Sequence, residues 1–138
     1  MKKSYTLTLE ELDTLVEDVL ANFSHGVVIL QGDLAAGKTT LVQQFAKKLG
    51  VQEDVTSPTF SLQQCYGEKL FHYDIYNHGL EHFMALGMLE ELEKEGLHFI
   101  EWGDDTLVEL LSDVGIDVMV IQIEKLPQNK REYHICTH

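Results

Sequence analysis

The chain has 138 residues, 44% of them hydrophobic, with only two prolines, which predicts one globular domain with a proper core and few linkers. No apolar run approaches a membrane span, none follows Lys2 and Lys3 as in a signal peptide, and Cys65 and Cys136 are too few and scattered for a disulfide framework or zinc motif, so a reduced, cytoplasmic location is the expectation. Twenty-three acidic against ten basic residues leave a net charge of −13, which argues against direct contact with a phosphate backbone and leaves any nucleic-acid role to a partner.

Thr8-Leu9-Glu10-Glu11 is a capping box, with Leu7 and Leu12 placed as a hydrophobic staple. Leu9, Leu12, Val16, Val19, Leu20 and Phe23 mark one face of a first helix, up to a Ser24-His25-Gly26 turn. Val27-Val28-Ile29-Leu30 is a β-branched strand candidate, and Gly32-Asp33-Leu34-Ala35-Ala36-Gly37-Lys38-Thr39 fits G-x-x-x-x-G-K-[ST]. Leu41, Val42, Phe45, Ala46 and Leu49 then recur at helical spacing, closed by Gly50. Strand, glycine-rich turn and helix are the context a P-loop requires. Main-chain N–H groups of such a turn form an anion nest at a helix N-terminus. Lys38 is then placed to reach the β- and γ-phosphates and the Thr39 hydroxyl to ligate Mg²⁺, so the chain is expected to bind a nucleoside triphosphate.

Val55-Thr56-Ser57-Pro58-Thr59-Phe60 puts three hydroxyls on a segment that Pro58 keeps out of a helix. It is either a loop that senses the γ-phosphate or an ordinary polar connection. Residues 60–66 and 69–76 read as two strands joined at Gly67-Glu68. Alternation in the second points Phe71, Tyr73 and Ile75 to the core and His72, Asp74 and Tyr76 the other way. That polar stripe is either an exposed face or a place where Asp74 positions water or a hydrated Mg²⁺. Residues 80–95 carry a helical pattern divided at Gly87, with His78 and His82 at i, i+4, a spacing open to metal but lacking a third ligand.

Leu97-His98-Phe99-Ile100-Glu101 has the form of a Walker B strand, whose final acid holds the hydration shell of Mg²⁺ beside the P-loop hydroxyl. Trp102, the only tryptophan, follows it directly. Residues 104–112 predict a last helix, and 118–123 and 132–137 two closing strands across Pro127-Gln128-Asn129-Lys130. Asn129-Lys130-Arg131-Glu132 lacks the aspartate of the guanine-specifying N-K-x-D. His134, Cys136 and His138 alternate onto one strand face, a weak metal candidate or a frayed terminus.

Arg131 is the only arginine. Small-molecule kinases of the P-loop class clamp phosphates with several guanidinium forks, and an arginine finger in cis speeds phosphoryl transfer by ~10³ or more. One arginine cannot clamp two substrates, which makes a kinase the weakest reading. A slow ATPase, or one completed by another protein, fits better; a nucleotide-gated binding module whose hydrolysis is incidental is the alternative.

These motifs together resemble the TsaE (YjeE) family, small bacterial ATPases of tRNA threonylcarbamoyladenosine biosynthesis. The resemblance rests on G-D-L-x-A-G-K-T-T at 32–40, S-P-T-F at 57–60, H-x-D-x-Y at 72–76 and I-E-W at 100–102. It covers essentially the whole chain. It implies that Ala35, Ala36, Gly37, Lys38, Thr39 and Thr40 wrap the phosphates of ATP or ADP and that Thr39 and Glu101 hold Mg²⁺. It further implies that Asp74 is the catalytically important acid, that Thr59 lies near the γ-phosphate, and that Trp102, Arg131 and, as a weaker match, Glu11 lie near the nucleotide. Its implied partners are TsaD and TsaB, which transfer threonylcarbamoyl to the adenosine next to the anticodon and which ATP hydrolysis would reset. Two departures stand out: Ala35 replaces a glycine of the loop, and Asn77 an arginine. The expected fold is a three-layer α/β P-loop NTPase domain over residues 1–138, with a mixed parallel and antiparallel sheet.

Overall fold

Val27, Val28, Ile29 and Leu30 lie in the middle strand of a seven-stranded mixed sheet in the computed structural model, which describes residues 2–32, 37–51, 63–67, 69–75, 79–85 and 87–138. All four are fully buried, because helices cover both sheet faces at this strand, and a strand buried on both sides reads as a continuous apolar run. In chain order the elements are β1 (Lys2–Thr8), a single 3₁₀ turn (Leu9–Glu11), α1 (Leu12–Asn22), β2 (Gly26–Gln31), α2 (Lys38–Lys48), β3 (Gln63–Tyr66) and β4 (Leu70–Asp74). Then come α3 (Gly79–Ala85), α4 (Met88–Glu91), β5 (Leu97–Glu101), α5 (Asp105–Asp113), β6 (Val118–Lys125) and β7 (Lys130–Thr137).

The strand order is β1-β7-β6-β2-β5-β4-β3. β6, β2, β5 and β4 run parallel, while β7, β1 and β3 are antiparallel to their neighbours. The mixed α/β fold is therefore the expected one. Strand alternation divides the core in two. Val28, Leu30, Phe99 and Ile121 pack under Leu12, Leu15, Val16 and Val19 of α1 and Leu41, Val42 and Phe45 of α2. Val27, Ile29, Tyr73 and Ile100 pack on the other side with Phe83, Met88, Leu107 and Leu111. Phe71, Tyr73 and Ile75 fall in this second cluster, as alternation predicts.

Several expectations change in detail. Residues 2–8, for which no element is predicted, form β1 against β7 at the other end of the chain, with Tyr5 and Leu7 alternating toward the core. Leu9 is 49% exposed because it sits in the 3₁₀ turn, and Leu15 takes the expected place in the buried face. The helical pattern over 80–95 yields α3 and a four-residue α4, separated at Gly87 in a left-handed conformation, and the chain leaves the helix before residue 95. Gly96 then turns the chain into β5: it has φ +131°, and a Cβ there would collide with the Lys69 carbonyl. β7 begins at Lys130, so Arg131 lies in the strand beside a tight turn in which Gln128 and Asn129 both have positive φ. No helix among the described residues is long and apolar enough to cross a membrane. Ala35, Ala36, the 57–60 loop with Thr59, Tyr76, Asn77 and His78 lie outside the described residues.

Candidate functional site

In an open parallel sheet, ligands bind beyond the carboxyl ends of the strands. The register places three such ends together: Leu30 lies opposite Glu101, and Glu101 opposite Asp74. The N-terminus of α2 meets them. Gly37, at φ +108°, turns the chain into α2 and its carbonyl accepts from Leu41 N–H at 3.0 Å. A Cβ at Gly37 would lie in strained left-handed backbone, 3.1 Å from Arg131 Nε, so the backbone calls for glycine and the arginine packs close over it.

Lys38 is 5% exposed. Its Nζ donates to the Gly32 carbonyl at 2.7 Å, spanning the turn, and lies 3.8 Å from the centre of the Trp102 ring. A cation over the indole face gains from the ring quadrupole without losing its charge. Trp102 is brought there by a left-handed backbone, φ +71°, rare for a side chain of this size, with its N–H donating to Leu30 O at 3.2 Å. Gln31 ties the same corner down, donating to the Gly103 carbonyl at 3.0 Å and accepting from Gln122 at 3.1 Å.

The Thr39 hydroxyl donates to Glu101 Oε2 at 3.0 Å, joining residues 62 apart in sequence. Glu101 is 4% exposed, and His72 Nε2 lies 2.5 Å from the same oxygen. His72 itself is fully buried, so the stripe on β4 is not a solvated face. Asp74 is half-buried at the strand end, on the same sheet face as Glu101 because paired residues of parallel strands point the same way. Hydroxyl and carboxylate oxygens grouped this way are hard donors of the kind that Mg²⁺ prefers.

Arg131, from the last strand, packs on Gly37, and its Nε is buried without a hydrogen-bond partner among the described residues. It also lines a cavity of about 660 Å³ with Thr8, Leu9, Leu126 and Asn129. Thr40 is half-buried in the first turn of α2. Glu11 closes the helix cap: its carboxylate accepts from the Thr8 N–H at 2.9 Å and the Thr8 hydroxyl at 3.0 Å. Those bonds, the backbone one first, hold its carboxyl below the usual range.

The structure thus brings Gly37, Lys38, Thr39, Glu101, Trp102 and Arg131 to one corner, with Asp74 beside Glu101. Sequence reasoning missed His72 as the partner of Glu101, and it missed the cavity beside Arg131. The alternation that puts His72 on the Asp74 face was the available signal for the first; nothing local signals the second. A larger cavity of about 790 Å³ between α5 and the β6-β7-β1 strands is lined by none of Lys38, Thr39, Asp74 or Glu101. The metal candidate on β7 changes partners. His134 Nε2 lies 3.0 Å from Glu132, and among the described residues Glu124, Glu132 and His134, without Cys136 or His138, bring ligand atoms within 4.8 Å of one another.

A family model described as "Threonylcarbamoyl adenosine biosynthesis protein TsaE" matches residues 6–133. The chain is 46% identical to the protein of that name from Treponema pallidum, over 61% of this chain and 64% of the relative. It is 41% identical to the one from Nostoc, over 56% of this chain and 52% of the relative, so these matches span half to two thirds of those proteins' length. The Rickettsia conorii relative is 34% identical over 97% of this chain and 78% of its own. The crystal structure of Bacillus subtilis YdiB superposes with a TM-score of 0.73 at 25% identity, covering 99% of this chain and 85% of that one.

Proposed function

The chain belongs to the TsaE family of threonylcarbamoyl adenosine biosynthesis proteins, and from that premise we propose that it is a Mg²⁺-dependent ATPase that serves the tRNA-modifying machinery. The observation that carries the reading is the 3.0 Å bond from the Thr39 hydroxyl to Glu101. It joins the last residue of the P-loop motif to the carboxylate at the end of β5, the pairing that nucleotide-bound magnesium requires.

In this reading the main chain from residue 35 to 40 receives the phosphates, and the Lys38 ammonium leaves the Gly32 carbonyl for the β- and γ-phosphate oxygens. Arg131, packed on Gly37, turns its guanidinium to the same anion. Thr39 and Glu101 would hold Mg²⁺, which when bound would neutralise charge on the phosphate oxygens. Asp74, next to Glu101 and nearer solvent, orients the attacking water, with Thr59 near the γ-phosphate. Trp102 stays against the nucleotide and keeps Lys38 from retreating into water. The cavity beside Arg131 is the place for base and ribose, with Leu9 and Leu126 offering apolar contact.

Partners in this reading are TsaD- and TsaB-like proteins, whose complex is reset by ATP turnover. The net charge of −13 supports a subunit that does not itself grip tRNA. The test is phosphate release and ADP binding by Glu101→Ala and Asp74→Ala, alone and with the partner complex. Both variants are expected to retain ADP and stop turnover. Unchanged phosphate release from Glu101→Ala sinks the metal assignment. Repeated modification supported by a non-hydrolysable ATP analogue sinks the ATPase role in favour of nucleotide gating.

A further inference from the structure

His72 lies on the sheet face that carries Asp74, at no exposure, and it does not line the cavity beside Arg131. Its Nε2 is 2.5 Å from Glu101 Oε2. An ionised carboxylate only accepts, so the imidazole donates and the hydrogen sits on Nε2. Nδ1 is buried without a partner among the described residues. Glu101 thus fixes which edge of the ring faces the strand end.

The geometry points to His72 as a positioning residue for Glu101, an inference that rests on the Mg²⁺–nucleotide reading above. Oε2 receives two donors from two elements, the Thr39 hydroxyl on α2 and the His72 ring on β4. The first belongs to a group that must also turn a lone pair toward the metal. The second stays outside the coordination sphere and is held rigidly in a strand buried on both faces. His72 therefore fixes the plane of the carboxylate before the cation arrives, as outer partners of metal ligands do. Asp74, two residues on, shares that strand, so one element sets the spacing of both acids.

The experiment measures ADP affinity by titration calorimetry in excess Mg²⁺ and in EDTA; the ratio of the two is the metal-dependent gain. His72→Phe keeps the ring and removes the donor. It is expected to lose about tenfold or more of the gain while affinity in EDTA stays at the wild-type value. His72→Gln, which keeps an N–H donor at similar reach, restores most of it. In a Glu101→Gln background, His72→Phe has no further effect on the gain. Full gain in His72→Phe, or equal loss with and without Mg²⁺ that Gln does not rescue, overturns the inference and leaves a packing role. If His72→Phe does not fold, His72→Gln is set against His72→Asn, whose shorter amide falls short of Glu101; equal gains in the two overturn it. A wild-type chain that binds ADP with no Mg²⁺ gain fails the magnesium reading itself, and the inference with it.

Discussion

Two histidines on neighbouring strands have no exposed surface, His72 on β4 and His98 on β5, and they differ in what they bond to. His98 is bonded on both nitrogens. Its Nε2 donates to the Lys94 carbonyl at 2.8 Å, and Nδ1 accepts from the Tyr73 hydroxyl at 2.7 Å, which in turn accepts from Gln63 at 3.2 Å. Phe71 stacks on its ring with centroids 4.4 Å apart. This network lies on the α3–α5 side and every ring nitrogen in it is satisfied. His72 lies on the α1–α2 side, its one bond goes to an acid at the strand end, and its other nitrogen has no partner among the described residues. Burial alone therefore does not mark function in this sheet. What sets His72 apart is its partner, a carboxylate at the strand end that also accepts from the Thr39 hydroxyl, whereas His98 is tied to a backbone carbonyl and a phenol.

The comparison can be broken at either region. The largest effect expected is from Lys38→Ala, which removes an ammonium able to make two charge-assisted bonds; at about 1.5–3 kcal/mol each, ATP affinity should fall by roughly a hundredfold or more. Calorimetric titration with ATP reads it, and urea unfolding should find the His98 network untouched. Tyr73→Phe does the reverse. It strips His98 Nδ1 of its donor and leaves Gln63 to its other acceptor, Glu91, for about 1–3 kcal/mol of stability in urea, with ADP affinity unchanged. A loss of ADP affinity in that variant would join the two regions and dissolve the contrast.

A third test uses pH. Burial pushes the His98 imidazole below its ordinary value, ahead of the opposing effects of the Lys94 carbonyl and Glu91. In the unfolded chain it titrates near ~6.5. Below that pH the unfolded state takes up a proton that the folded state refuses, so stability is full above it and declines as pH falls. Wild-type Tm should therefore drop from pH 7.5 to 5.5, and His98→Gln should drop less steeply. The smallest effect belongs to Leu9→Ala: half-exposed, it should cost under about 0.5 kcal/mol of stability, whereas Leu15→Ala in the core costs about 2–5 kcal/mol. Calorimetry of the same Leu9→Ala chain should still register weaker ADP binding, since Leu9 lines the cavity beside Arg131.

Short-range features were readable from the chain alone. The β2–turn–α2 unit, the Thr8–Glu11 cap, the β3–β4 hairpin and the alternation of Phe71, Tyr73 and Ile75 depend on residues a few positions apart, and local sterics and hydrogen bonding suffice to specify them. So do the identities of Lys38, Thr39 and Glu101 as residues of interest. What they touch was decided by the sheet order. Where β1 docks was not legible, because its partner β7 is at the opposite end of the chain. Arg131 reaches Gly37 only because β7 folds back beside β6 and so near β2. His72 meets Glu101 only because β4 lies parallel to β5. Backbone preference acts over neighbours, whereas a donor finds its acceptor across the strands only after burial has chosen which strands lie side by side.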